Sequence, residues 1–309
     1  MLRRGRNGAE LIRPRQRGLI HAVASERARL VMKETLSEPT VRVRLIGAPT
    51  DINSSFLRGP ALAPNQIREI LVSDVGNSAA ENGRELGNEI DLVDSGDLVL
   101  VEGAGDDETI QQAVRDALNG SFAPLVIGGD HSITFPIMAA VAAHFGPVSI
   151  LHIDAHPDLY NELLGNRRSH ASPFARIMEA GLCARLVQVG IRTLNAHQRE
   201  QANRFGVEMV SMRNFSPSHV PTLDGPVYIS IDLDGLDPAH APGVSHHEPG
   251  GLTVRQLLDV IAPLKGQVIG ADVVELNPTR DVHNMTAAVA AKLVRELASL
   301  MVNTGPSAD

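Results

Sequence analysis

The chain has 309 residues, 43% of them hydrophobic, enough for one large core, and carries a net charge of −8 with a pI near 5.8. The acidic balance excludes a surface built for nucleic acid or anionic lipid, and a 3% aromatic fraction without tryptophan excludes stacked-ring platforms for single strands. Cys183 is the sole cysteine, which rules out an intrachain disulfide and a Cys-rich zinc site and suits a reducing compartment, and no apolar run is long enough to span a bilayer.

Residues 1–40 read as a basic N-terminal extension with a possible helix, and residues 41–309 as one catalytic domain. Arg3, Arg4, Arg6, Arg13, Arg15 and Arg17 face a single early acid, Glu10. That charge pattern fits a mitochondrial transit peptide, yet the first serine is Ser25, and transit peptides are usually Ser-rich. A flexible basic tail on an intracellular, cytoplasmic protein is the simpler expectation, with the mitochondrial matrix as its alternative. From residue 41 onward, Val- and Ile-rich runs at 41–47, 124–128, 148–154, 186–190, 227–232 and 268–275 are bounded by Gly, Pro or Asp and predict strands buried on both faces. Helical stretches at 63–72, 107–118, 137–145, 173–180, 254–262 and 285–300 lie between them. Strand–helix alternation predicts an α/β fold with a parallel sheet covered on both sides.

Open α/β sheets place their sites outside the carboxyl ends of the strands, and the unusual polar clusters fall there. The first is Gly128-Gly129-Asp130-His131-Ser132, where the glycines permit a sharp turn that leaves His131 at the strand exit. The second runs from His152 to Asp158; side chains two apart in extended chain point the same way, so Asp154, His156 and Asp158 can converge. His152 shares their phase but lies deeper, as a buried hydrogen-bonded histidine. The third is Asp232-Leu233-Asp234, with Asp237 before Pro238 read as a turn residue. Carboxylates so close past a buried strand repel one another without a cation.

Together, His131, Asp154, His156, Asp158, Asp232 and Asp234 are too many donors for one tetrahedral zinc. They suit two hard divalent ions, with Mn²⁺ matching the imidazole–carboxylate mixture. Two such ions roughly 3.5–4 Å apart activate a water for hydrolysis. His170, on the loop after the second cluster, suits proton transfer near neutrality. Glu275 ends an apolar strand and calls for a cationic partner; a guanidinium, whose planar fork matches a carboxylate, is the natural one.

These motifs resemble those of the ureohydrolases, the arginase and agmatinase family, and most closely the plant-type arginases over about residues 41–301. The resemblance extends to Asn53-Ser54-Ser55-Phe56-Leu57, GNRRSHASPFARIME at 165–179, QVGIR at 188–192, PGVSHHEPGGL at 242–252 and GADVVELNP at 270–278. It implies a three-layer α/β/α sandwich, two Mn²⁺ per subunit and a homo-oligomer, trimer or hexamer. His131, Asp154, Asp158 and Asp232 would surround one ion, and Asp154, His156, Asp232 and Asp234 the other. His170 matches the family's proton shuttle and Glu275 its guanidinium-binding glutamate. Asp154 is counted with them among the catalytic residues, and a carboxylate relays a proton to the leaving nitrogen as urea departs. Arginine giving ornithine and urea is the implied reaction; agmatine or another guanidino acid such as 4-guanidinobutyrate is the alternative. The loop at 159–169 departs from the animal-type arginases, and Asn161 and Arg168 are expected there to bind the substrate's outer end, Arg168 as the cation for its carboxylate. A single-zinc deacetylase on a related fold would need fewer ligands, and a non-catalytic relative would lack one of these residues.

Overall fold

Each apolar run becomes a strand of one eight-stranded sheet in the computed structural model, which describes residues 41–74, 76–264 and 267–302. The basic N-terminal extension and its possible helix lie outside the described residues. The strands are β1 (Val41–Ala48), β2 (Ile90–Asp97), β3 (Ala123–Gly128), β4 (Val148–Ile153), β5 (Cys183–Ile191), β6 (Glu208–Ser211), β7 (Val227–Asp232) and β8 (Val268–Val274). Their order is β2-β1-β3-β8-β7-β4-β5-β6, and every neighbouring pair is parallel.

Two strands escaped the sequence reading, β2 and β6, and both are edges. An edge strand has one neighbour and needs no continuous apolar run. β2 therefore carries Asp91, Asp94 and Asp97, of which the last two pair with Arg68. β6 is only four residues long.

The helices are α1 (Ala63–Leu71), α2 (Asp106–Asn119), α3 (Thr134–Phe145), α4 (Pro173–Glu179), α5 (Ala196–Phe205), α6 (Val254–Ile261) and α7 (Met285–Leu300). The unforeseen one is α5, whose sequence AHQREQANRF lacks an apolar stripe. It is fixed instead by its ends: the Asn195 side chain accepts from the Gln198 N–H, and Gly206 closes the helix in the left-handed region.

The side-chain period of two divides each central strand between two cores. Leu125 and Ile127 of β3, with Leu151 and Ile153 of β4, pack among Ile67 of α1, Leu257 of α6 and Leu293 of α7. Val126 and Ile150 face the other side, among Ile110 of α2, Ile137 of α3, Phe174 of α4 and Ala202 of α5. The three-layer α/β/α sandwich follows. None of the described helices is long and apolar enough to cross a membrane.

Strand order matters most for the site. β3 and β4 follow one another in the chain, yet β8 and β7 lie between them in the sheet. The carboxyl ends of β3, β8, β7 and β4 are thus four neighbours in space, although they come from distant parts of the chain. Ile229, at the middle of this group and fully buried, reports its packing. Ile229→Ala is expected to lower the unfolding free energy of the metal-free chain by about 2–5 kcal/mol, read from the urea midpoint.

Candidate metal and substrate site

β3 ends in a turn that only glycine permits. A Cβ on Gly129 would lie 1.6 Å from the Thr50 carbonyl oxygen, and that closeness lets the Asp130 N–H donate to the same oxygen at 2.9 Å. The Asp130 carboxylate then accepts from Ser132 N at 3.0 Å and Asn53 N at 2.9 Å, which rolls the chain into a short 3-10 turn. His131 is buried at the start of that turn, against the ends of β4 and β7.

Hydrogen bonding fixes its tautomer. Ser230 Oγ donates its single hydrogen to Asp272 Oδ1 at 2.6 Å, so it must accept from His131 Nε2 at 2.9 Å. Asp272 is saturated from Tyr228 at 2.9 Å and Thr134 at 3.0 Å. With the proton on Nε2, Nδ1 presents a lone pair. It has no hydrogen-bond partner, yet Asp154, Asp158 and Asp232 each place Oδ2 3.1–3.3 Å away. A lone pair ringed by three carboxylate oxygens is repulsive, and a divalent cation at their centre reverses the sign. Without a cation, a proton on Nδ1 takes its place: burial opposes a charge on His131, but the surrounding carboxylates hold it well above the ordinary histidine value.

A second group adjoins the first and shares Asp154. Its Oδ2 faces His131, while Oδ1 lies 3.3 Å from His156 Nδ1, which is also 3.1 Å from Asp234 Oδ2. Asp232 and Asp234 each anchor one oxygen on backbone, Asp232 Oδ1 to the Asp234 N–H at 2.8 Å and Asp234 Oδ1 to the Ala155 N–H at 3.2 Å. Their other oxygens point into the site. The donor set therefore forms two cation-sized groups, the chemistry expected for hard divalent ions. The carboxylates are strained electrostatically: burial and the neighbouring Asp234 and Asp154 push Asp232 well above the carboxylate range, and burial raises Asp234 to about 6.

His152 falls within ligand distance of the first group but has another task. Gln188 Nε2 donates to the Pro157 carbonyl at 2.7 Å and to His152 Nδ1 at 2.9 Å, so Nε2 of His152 carries the proton and donates to Asp154 Oδ2 at 2.9 Å. It orients Asp154 from behind, as its depth in β4 suggested.

Arg192 holds the far side. Its guanidinium donates to the carbonyls of Gly190, Asp234, Gly235, Leu236 and Glu248, at 2.5–3.2 Å, and makes no ion pair with a described residue. It thereby ties the end of β5 to the Asp232–Asp234 turn and to the loop carrying His246.

The cavity above these groups has a volume of about 150 Å³. His170 Nδ1 donates to Glu275 Oε1 at 2.8 Å, and its Nε2 lies 2.8 Å from Ser55 Oγ. Glu275 Oε1 also accepts from the His131 N–H at 3.0 Å. Glu275 lines the cavity, and its Oε2 has no hydrogen-bond partner among the described residues. Asp158 and Glu275 sit at φ 49° and 65°, a conformation costly for residues with a Cβ and of a kind that recurs at functional sites.

The structure brings His131, Asp154, His156, Asp158, Asp232, Asp234, His170 and Glu275 together. Asp154 is fully buried and off the cavity wall, whereas Asp158 lies on it. Glu275 has a partner the sequence reading did not foresee, the imidazole of His170. Asn161 and Arg168 are not brought to the cavity, a correction to the expected outer-end site. Asn161 Oδ1 accepts from Arg167 at 2.8 Å and Arg176 at 3.3 Å. Arg168 pairs with Asp107 at 2.5 Å, reaches the Ser132 carbonyl at 3.3 Å and lies over the Phe135 ring. Both side chains are spent on local structure, Asn161 as an acceptor for two arginines and Arg168 as a donor that ties the 159–169 loop to α2 and to the turn after β3. Ser55, Thr193, Gln198 and His246, which line the cavity, were not singled out by sequence reasoning; only the shared strings at 53–57, 188–192 and 242–252 pointed near them.

Arg192→Ala is expected to cost about 3 kcal/mol of stability, since it strips several buried carbonyls of donors. Urea denaturation would read that loss, and metal content after dialysis should fall with it.

Comparison with known proteins agrees with this geometry. The family model described as "Arginase family" matches residues 41–299. "Arginase 1, mitochondrial" of Arabidopsis thaliana is 52% identical over 273 residues, covering 82% of this chain and 80% of that protein. "Agmatinase, mitochondrial" of Gallus gallus is 37% identical over 268 residues, covering 82% and 78%. Among solved structures, the arginase from Medicago truncatula superposes with a TM-score of 0.79 at 43% identity, over 92% of this chain and 96% of that one. Sheet order, donor set and sequence therefore converge: the chain belongs to the arginase family.

Proposed function

We propose that this chain hydrolyses L-arginine to L-ornithine and urea on a pair of manganese ions. The observation that carries the reading is Glu275, which lines the cavity beside the carboxylate cluster, held through Oε1 while Oε2 has no partner among the described residues. A guanidinium matches that acceptor in charge and in planar donor geometry. In this reading His131, Asp154, Asp158 and Asp232 hold one ion, and Asp154, His156 and Asp234, with Asp232 at the boundary, hold the other. When bound, the ions supply Lewis acidity that lowers the pKa of water and orients it for attack.

The chain's own groups handle binding and protons. Glu275 fixes the guanidinium and its central carbon. Asp158, the carboxylate of the 154–158 segment that faces the cavity, relays a proton to the leaving nitrogen, a task placed on the wall rather than on buried Asp154. His170 Nδ1 donates to Glu275, while its Nε2 accepts from the Ser55 N–H at 3.2 Å and lies 2.8 Å from the Ser55 hydroxyl, which places a proton-exchanging nitrogen at the cavity wall. The greater identity to the plant arginase than to the agmatinase favours arginine. One observation stands on the side of agmatine: among the described residues, no Arg or Lys lines the cavity. A homo-oligomer, trimer or hexamer, accompanies this reading. The relative's mitochondrial name supports the matrix over the cytoplasm as the chain's location.

Urea release by the Mn²⁺-loaded protein, offered L-arginine, agmatine and 4-guanidinobutyrate separately, tests the reading. Arginine is expected to be preferred and a chelator to abolish release reversibly; no urea from any of the three, with two ions bound, would overturn it. Glu275→Gln should retain metal but lose about a hundredfold in kcat/KM for arginine, the weight of one charge-assisted contact.

A pH dependence follows from the His170–Glu275 pair. Burial opposes charge on His170, but the Glu275 carboxylate raises it from 6.5 to about 9. Burial likewise pushes Glu275 up, and His170 outweighs it, holding the carboxyl below its ordinary value. The raised histidine stabilises the fold fully below pH 6.5 and loses that contribution as pH climbs through 9. The lowered glutamate contributes above its ordinary value and loses it as pH falls through the folded one. His170→Asn should therefore flatten the unfolding free energy of the metal-free chain between pH 6.5 and 9, measured by urea denaturation across that range.

A further inference from the structure

We propose that His246 is the specificity-determining residue of this cavity, donating a hydrogen bond to the carboxylate of the substrate's α-amino-acid end. The inference rests on the arginine reading above and answers the question it leaves, since Arg168 faces Asp107 and, among the described residues, no Arg or Lys lines the cavity.

The other histidines of the site are committed. His131 faces three carboxylates and Ser230, His152 lies between Asp154 and Gln188, His156 lies between Asp154 and Asp234, and His170 lies between Glu275 and Ser55. His246 alone lines the cavity with neither ring nitrogen hydrogen-bonded to a described residue. An imidazole offers at least one N–H in either protonation state. Half-buried, it has that donor available for a ligand.

Its backbone is rigid on both flanks. Ser245 Oγ donates to the Leu57 carbonyl at 3.0 Å and accepts from Asn277 Nδ2 at 2.9 Å, and the Glu248 carbonyl takes two donors of Arg192, at 2.8 and 2.5 Å. Site residues held this way keep their aim. The His246 ring centroid lies 5.2 Å from that of His170 and 6.1 Å from that of His156 at the reacting end, and 5.7 Å from that of Phe56, which is 66% exposed. A guanidinium seated on Glu275 directs its alkyl chain outward past this ring. All four acids of the lining, Asp158, Asp232, Asp234 and Glu275, belong to the metal groups or the guanidinium end, so an outer carboxylate meets no acid beyond them.

His246→Ala and His246→Gln in the Mn²⁺-loaded protein test the assignment. For His246→Ala, KM for L-arginine and the inhibition constant of L-ornithine should both rise about tenfold to a hundredfold, the loss of one hydrogen bond to a charged group. The change in kcat should stay within about threefold, because the group acts on the tail in ground and transition states alike. Inhibition by agmatine, which lacks the carboxylate, should stay within about twofold of the parent protein. His246→Gln, which restores a donor, should recover part of the loss for arginine and ornithine. Equal weakening of arginine and agmatine would mark a general wall residue and overturn the proposal, as would no change in either. If the parent protein releases no urea from arginine, the functional reading fails before the variants are compared. Metal content and thermal midpoint of both variants identify a folding defect, in which case His246→Gln carries the comparison.

Discussion

Four buried carboxylates crowded around two imidazoles are the constraint on which this molecule turns. Asp154, Asp158, Asp232 and Asp234 lie together at the ends of two adjacent strands, with His131 and His156 between them. Buried like charges at this distance raise one another's pKa values, and Asp232 and Asp234 are displaced upward accordingly. Divalent cation binding would convert that repulsion into binding energy. Polar groups behind the cluster hold it in the geometry that a cation needs. Asp272, through Ser230, keeps the proton of His131 on Nε2, and Gln188, through His152, holds Asp154 in place.

The frame around the cluster explains why strained backbone survives there. Glu275 adopts a left-handed conformation, but its N–H donates to the Gly129 carbonyl at 3.0 Å and its carboxylate is bound by His170 and the His131 N–H. Those bonds over-determine the residue and leave one oxygen for a ligand. Arg192 acts similarly on the opposite wall, where its fork of donors joins three chain segments that no hydrophobic contact could align as narrowly. In both places a charged side chain uses most of its hydrogen-bonding capacity on the protein itself. The groups of the site are thus held by the protein before any ligand arrives, the condition for electrostatic preorganisation.

Much of this was legible in the chain. Six central strands announce themselves as uninterrupted apolar runs because both faces are covered, and the edge strands β2 and β6 do not because they are half solvated. All six expected metal-group residues, with His170 and Glu275, converge at one end of the sheet. Short spacing grouped Asp154 with His156 and Asp158, and Asp232 with Asp234, but the chain reaches that grouping through a bend after β4, a left-handed Asp158 and a 3-10 turn at Leu233–Gly235 rather than through extended alternation. The outer pocket was not legible. Asn161 and Arg168 carry suitable chemistry, but loop residues have no fixed period, and their side chains satisfy Arg167, Arg176 and Asp107 instead.

The sequence by itself therefore determined the alternation of strands and helices, the ligand types and their local phase, since these depend on bonds and spacings within a few residues. Tertiary structure decided what depends on distant segments meeting. Sheet order inserted β8 and β7 between β3 and β4, which brought Glu275 onto His170 and Ser230 beneath His131. Loop packing turned Arg168 away from the cavity and left His246 lining it with neither ring nitrogen hydrogen-bonded to a described residue. No local pattern encodes those contacts, because each forms between residues separated by scores of positions, and only the closed sheet brings them within reach.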